Sequence, residues 1–306
     1  MSISLAIGDA PTDLQWLHTN YNNRARVPSA SSQLADWARR SASTRALYAS
    51  EQRCRLDVAY GVSAGETLDL FVPKPSKKKC LKPVVVFIHG GYWRSLDKAD
   101  HSFLVPALAQ SAGKSGAVVV VPNYGLCPSV QIDDIALQMT RAMAWVFEHI
   151  HTVGGDASQV CVVGHSAGGH LAAMLLGCHW EQVHTSAGKP LPANWLRRAV
   201  SISGLYDLAP LVQAPFLQAD LRLSAQTVQR CSPAYWPQPA KGKLYAMVGG
   251  DESDEFVRHN DMMRQVWGHK RVAHTSVLPG LNHFTIVEAL AAGQPALTRV
   301  LQQALQ

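Results

Sequence analysis

No stretch of this chain approaches the ~18–20 consecutive apolar residues needed to cross a membrane as a helix, so no membrane-spanning helix is expected in it. Its six cysteines (Cys54, Cys80, Cys127, Cys161, Cys178 and Cys231) are far apart and include no C-x-x-C pair. They read as reduced, partly buried thiols rather than a disulfide framework. The opening run MSISLAIGDAPTD has neither a basic segment nor an apolar core of signal-peptide length, which points to the cytoplasm. Charge is sparse: 16% of residues are Asp, Glu, Lys or Arg, and the net +6 is scattered except at Lys77-Lys78-Lys79. That triplet follows Pro75 and precedes an apolar run, so it reads as a solvated loop, and neither a nucleic acid nor a membrane is expected as partner. Internal repeats and low-complexity segments are also missing.

What is present is a large apolar fraction, 47% of 306 residues, enough for one big core without disulfides or metals. A single domain over 1–306 is the expectation. Residues 1–50 show helical spacing around Leu14, Trp16 and Leu17 and again around Leu34, Trp37 and Ala38, predicting two short helices joined by an Asn22–Pro28 loop. Runs 55–61 and 66–73 alternate as an antiparallel hairpin would. Runs 83–91 and 116–125 are instead continuously β-branched, as in strands covered on both faces of a parallel sheet. A crossover helix over 101–112, with Pro106 bending it or in its first turn, lies between them. A strong helix over 132–150 carries Ile135, Met139, Ala142, Met143, Val146 and Phe147 on one stripe. Strands at 159–163, 198–203, 243–248 and 272–278 then alternate with helices at 168–178 and 254–267, and a final helix starts near Phe284. This order predicts an α/β, mostly parallel doubly wound sheet with active loops at the strand carboxyl ends. The stretch 204–240, rich in Leu, Pro and Gln, breaks the alternation and is assigned, with residues 1–50, to a small cap.

The run VVGHSAGGH (162–170) places Ser166 between a strand and a helix, with Gly164 and Gly168 two positions away on either side. Glycines there remove side chains that would collide in a sharp turn presenting a nucleophilic hydroxyl, which is the physical content of G-x-S-x-G. A phosphate cradle is disfavoured because no lysine follows and no G-x-G-x-x-G frame exists. A second glycine turn, HGGYW (89–93), follows another buried strand. Its backbone N–H groups at Gly91 and Tyr92, with that of Ala167, are candidate donors for an oxyanion, and His89 is read as a brace for this loop. Of thirteen histidines, His283 follows a strand and the turn PGLN, at the sheet edge that Ser166 occupies. His165 and His170 flank the serine but are expected to point away into surface or packing roles. An acid should lie between serine and histidine, and in VGGDESDEF (248–256) only Asp251 and Glu252 are near enough to the strand end.

Together YNNRARVP (21–28), ETLDLFVP (66–73), HGGYW, GHSAGGH, SGLYDL (203–208), DESDEF (251–256) and NHFTIVE (282–288) resemble the α/β-hydrolase superfamily, in particular its arylformamidase (kynurenine formamidase)-like and hormone-sensitive-lipase-like members. The resemblance implies an α/β-hydrolase fold, Ser166 as nucleophile, His283 as base and an acid that falls on Glu252 when the DEF end is the anchor, with Asp251 fitting as well. It implies hydrolysis of a small acyl substrate, a formyl-amide or an ester, through an acyl-enzyme. No cofactor and no metal are expected, since H-E-x-x-H and similar clusters are absent. Trp93, Tyr92 and Tyr206 are the candidate aromatic walls for an aryl leaving group. A homodimer stays open, as does a catalytically silent binding protein on the same fold.

Overall fold

The computed structural model describes residues 13–75 and 80–306. The Lys77–Lys79 triplet and the N-terminal run lie outside the described residues. Eight strands form one sheet: β1 (Cys54–Ala59), β2 (Thr67–Phe71), β3 (Lys82–Ile88), β4 (Val118–Pro122), β5 (Gly155–His165), β6 (Arg198–Ile202), β7 (Lys243–Gly249) and β8 (Val272–Leu278). Their order across the sheet is β1-β2-β4-β3-β5-β6-β7-β8. The β1–β2 hairpin and the β2–β4 pair are antiparallel, and β3 to β8 run parallel. This is the α/β-hydrolase fold.

The continuous β-branched runs follow from two-sided burial. Successive side chains of a strand point to opposite faces, and here Val84, Val86 and Ile88 enter one core while Val85 and Phe87 enter the other. The first core is closed by α5 (Ile132–His149), α6 (Ala167–Leu176) and α9 (Asp254–Arg271), through residues such as Met139, Leu171 and Trp267. The second is closed by α3 (Ala30–Ser50), α4 (Val105–Gln110), α10 (Thr285–Ala291) and α11 (Pro295–Leu305), through Trp37, Val105, Ile286 and Leu301. On α5 the predicted stripe is buried except Phe147, which is half-buried.

Three local readings differ. Residues 13–50 hold three helices, not two: α1 (Leu14–Tyr21), the single turn α2 (Asn23–Arg26) and the 21-residue α3. The Asn22 side chain caps α2 by accepting from Ala25 N–H at 3.2 Å, which turns the supposed loop helical. The crossover 101–112 is a 3₁₀ turn (Lys98–Leu104) that passes into α4, with Pro106 in the first turn of that helix. The last helix is two, separated at Gly293 with φ +71°. Segment 204–240 carries the short helices α7 (Gln218–Leu221) and α8 (Ala225–Cys231). Among the described residues no helix is long and apolar enough to cross a membrane.

Candidate active site

At the end of β5 the chain reverses into α6 with Ser166 at φ 56° and ψ −119°. A non-glycine residue held there costs on the order of 1–3 kcal/mol, which surrounding structure must offset. Ser166 N–H donates to Ile202 O at 2.8 Å, and Ser166 O accepts from His170 N–H at 3.0 Å, fixing the turn on both sides. A Cβ on Gly164 would sit 2.0 Å from Gly168 O, and one on Gly168 would sit 2.0 Å from Ile88 O. The flanking glycines are therefore a packing requirement between the turn and β3. Ser166 is only 2% exposed. It faces a small, partly open pocket lined by Asn22, Asn23, Arg24, Leu34 and Trp37 of the N-terminal segment and by Phe216.

His283 lies between β8 and α10, lining the cavity that Ser166 lines. Its Nδ1–H donates to Glu252 Oε2 at 2.6 Å. An ionised carboxylate only accepts, so this bond puts the proton on Nδ1 and leaves Nε2 with a lone pair. The other oxygen, Glu252 Oε1, accepts from Ser203 Oγ at 2.5 Å and from Gly249 N–H at 2.9 Å. Glu252 is buried at 4% exposure, whereas the side chain of Asp251 is exposed and only its backbone is engaged, donating to Leu281 O at 3.0 Å. Ser203 was not singled out from the sequence. Its sole signal was membership of the SGLYDL run.

His165 corrects an expectation: it does not turn away. It is buried, lines the cavity, donates from Nε2 to the His283 backbone oxygen at 2.9 Å, and packs its ring 4.7 Å from the His283 ring. Burial first, then the neighbouring His283, holds its imidazole well below the ordinary histidine range, so it stays neutral. His170 does pack away from the cavity, its Nε2 donating to Cys231 O at 2.6 Å.

The HGGYW loop abuts the serine turn: a Cβ on Gly90 would lie 2.9 Å from His165 O and 3.0 Å from Ser166 Cβ. Gly91 (φ 108°), Tyr92 (φ 51°) and Trp93 (φ 54°) run through three left-handed conformations in succession. No intramolecular acceptor is found for the N–H groups of Gly91, Tyr92 or Ala167 among the described residues. His89 braces this loop, with Nδ1 2.8 Å from Gly90 O and Nε2 2.9 Å from Asn123 Oδ1, while its ring stacks on Tyr124 at 4.2 Å.

Two of the three proposed walls are elsewhere. Trp93 is fully buried edge-on against the His170 ring at 4.9 Å. Tyr206 is buried with its hydroxyl donating to Ser201 Oγ at 2.7 Å. Neither lines the cavity; Tyr92 does, with Trp37, Phe216 and Phe284. The cavity measures about 60 Å³. A larger apolar cleft of about 650 Å³ opens at the far end of α6 beside Leu175, Trp180 and Trp236, and none of the candidate site residues reaches it.

The BD-FAE family profile matches residues 68–220, a span that includes the HGGYW loop and Ser166. Kynurenine formamidase of Danio rerio is 30% identical over 253 residues, covering 80% of each chain. This chain belongs to the BD-FAE family, within the α/β-hydrolases. A proposed thioesterase from Silicibacter sp. superimposes with a TM-score of 0.77 at 28% identity, over 92% of this chain and 98% of its own. The esterase of Pyrobaculum calidifontis superimposes with a TM-score of 0.66 over 87% of this chain and 90% of its own; at 16% identity that likeness speaks for the fold. The BD-FAE member described here is a hydrolase of the esterase and formamidase type.

Proposed function

We propose that the protein is a serine hydrolase that removes a small acyl group from an aryl amine, an arylformamidase acting on N-formylkynurenine-type substrates. The observation that carries the reading is the His283–Glu252 hydrogen bond at 2.6 Å in a cavity shared with Ser166. His283 Nε2 takes the Ser166 proton as Oγ adds to the acyl carbon, and the charge that develops on the acyl oxygen is met by the free N–H groups of Gly91, Tyr92 and Ala167. His283 returns the proton to the departing amine, leaving an acyl-enzyme. Water, deprotonated by His283, then releases the acid and restores Ser166. Glu252 keeps the imidazole in the Nδ1–H tautomer and stabilises its cation.

Two features favour a short acyl group on an aromatic amine. A cavity of about 60 Å³ is far smaller than the roughly 300–1,000 Å³ of sites for drug-sized ligands, so a one- or two-carbon acyl group fits between standing walls. The walls that remain are aromatic: Trp37, Tyr92, Phe216 and Phe284. The Danio rerio relative's name agrees with this reading. The test is the ratio of kcat/KM for N-formylkynurenine to that for p-nitrophenyl acetate. Turnover of the formyl-amide at rates comparable to the activated ester supports the proposal. Ester turnover alone replaces it with a short-chain carboxylesterase.

A further inference from the structure

The YNNR run at 21–24 closes one side of the cavity, and its four side chains are not equally employed. Tyr21 donates to Glu255 Oε2 at 2.8 Å, and its carbonyl accepts from the Tyr92 hydroxyl at 2.6 Å. Asn22 caps α2 and contacts His18 Nε2 at 3.0 Å. Tyr21 thus ties the segment to the body, and Asn22 fixes its local fold. Asn23 is different: it lines the cavity at 4% exposure, yet its amide Nδ2 is buried without a hydrogen-bond partner among the described residues. A buried donor left unmade costs about 1–3 kcal/mol, so its retention calls for an acceptor supplied from outside the chain.

Arg24 stands beside it. Its guanidinium makes one bond, Nη2 to Ser95 Oγ at 3.3 Å, while the Ser95 hydroxyl donates to Gly91 O at 3.0 Å. Arg24 is thereby tethered to the HGGYW loop with most of its five donors unused. The cavity's other arginine, Arg94, is neutralised by Asp220, and no Asp or Glu side chain lines the cavity. Arg24 has no carboxylate partner among the described residues.

We infer that Asn23 and Arg24 form a carboxylate-binding edge, which selects substrates whose leaving group carries a carboxylate. The inference deepens the proposed function and rests on it for the location of the reacting acyl group. A guanidinium fork with an adjacent amide donor matches the two oxygens of a carboxylate. The buried amide supplies the fixed point and the exposed arginine the charge.

The experiment measures competitive inhibition of p-nitrophenyl acetate hydrolysis by aryl carboxylates, kynurenine among them, each paired with its carboxamide. The wild-type protein is expected to prefer the carboxylate by about tenfold, the size of one partly exposed charge-assisted bond. Arg24→Gln should abolish most of that preference and Arg24→Lys should keep part of it. Asn23→Asp, which places a like charge against the ligand, should reverse it. Equal inhibition by both members of every pair, no inhibition by any carboxylate, or equal weakening of both by Arg24→Gln overturns the inference. The outcome is separable from the formyl-amide reading. A carboxylate preference in a protein that does not turn over N-formylkynurenine would sink the substrate assignment and leave this edge standing.

Discussion

The imidazole of His283 and the carboxylate of Glu252 meet at 2.6 Å, and Ser203 and Gly249 hold the other carboxylate oxygen. Replacing the acid by an amide keeps the shape but lets the side chain donate to Nδ1, which stabilises the wrong tautomer. Glu252→Gln is therefore expected to lower kcat by about 10³–10⁴-fold. Asp251→Asn, one residue away and exposed, should change kcat less than twofold. Steady-state kinetics of both variants checks the assignment, and a large loss in Asp251→Asn with Glu252→Gln near wild type would reverse it.

Ser166 carries a separate pair of expectations. Ser166→Ala should abolish turnover and labelling by a fluorophosphonate while leaving thermal unfolding close to wild type, since the hydroxyl makes no hydrogen bond within the described residues. Ser166→Gly should be equally inactive yet more stable, because glycine adopts φ 56° without penalty. Relief of such strain corresponds to about 1 kcal/mol or more, a rise of a few degrees in Tm for a domain this size. A glycine variant that melts at or below the serine protein would show that the turn is unstrained.

How much of this was legible in the sequence depends on how local each signal is. The spaced glycines around Ser166, the glycine pair after β3 and the loop carrying His283 each mark a turn through a short run of residues. The continuous β-branched runs place those turns at one edge of a sheet. Choosing between Asp251 and Glu252 was harder. Both follow Gly249-Gly250, and only the path of that turn, pinned by Asp251 N–H on Leu281 O, sends one carboxylate inward and the other out. The aromatic walls are equally hidden from a local reading. Trp93 looks available beside a loop, but the core behind that loop has room for an indole against His170, so it packs there. Trp37 and Phe216 come from segments far along the chain, and nothing near them in sequence mentions the serine.

The glycines of the serine turn make a sharp mutational contrast. Gly168→Ala forces a Cβ to 2.0 Å from Ile88 O, a backbone atom in the centre of the sheet that cannot yield. A cost above about 3 kcal/mol is expected, with loss of soluble protein or a large fall in Tm. Gly113, unlike the helical Gly168, is in a left-handed conformation (φ +70°), but a Cβ there meets nothing within 4 Å. The cost of Gly113→Ala should stay near 1 kcal/mol, the conformational part alone. Comparable destabilisation of the two variants would mean that crowding at β3 is not what fixes glycine at 168.

Five buried histidines set the protein's response to acid. Burial holds His89, His101 and His170 down to about 4 and His259 to about 3, and it pushes His165 well below its ordinary value. Each has a folded pKa below its unfolded value near 6.5, so the unfolded chain binds more protons as pH falls through that value. Their contribution to stability is then fully present above about pH 7 and declines from there toward pH 4. One such group removes about 3 kcal/mol over that window, against a typical total of 5–15 kcal/mol. Denaturant midpoints should therefore be flat between about pH 7 and 8, fall steeply below about 6.5, and decline again above about 8.5, where the unfolded chain ionises the thiols of Cys127, Cys161, Cys178 and Cys231 that burial holds up to about 12 in the fold. His170→Gln is the informative variant, because its amide can still donate to Cys231 O but does not titrate. It should lose some stability at pH 8 and show a visibly shallower decline between about pH 6.5 and 4. An unchanged slope would mean that His170 is already able to ionise in the folded protein, and that its pairing with Cys231 tolerates the charge.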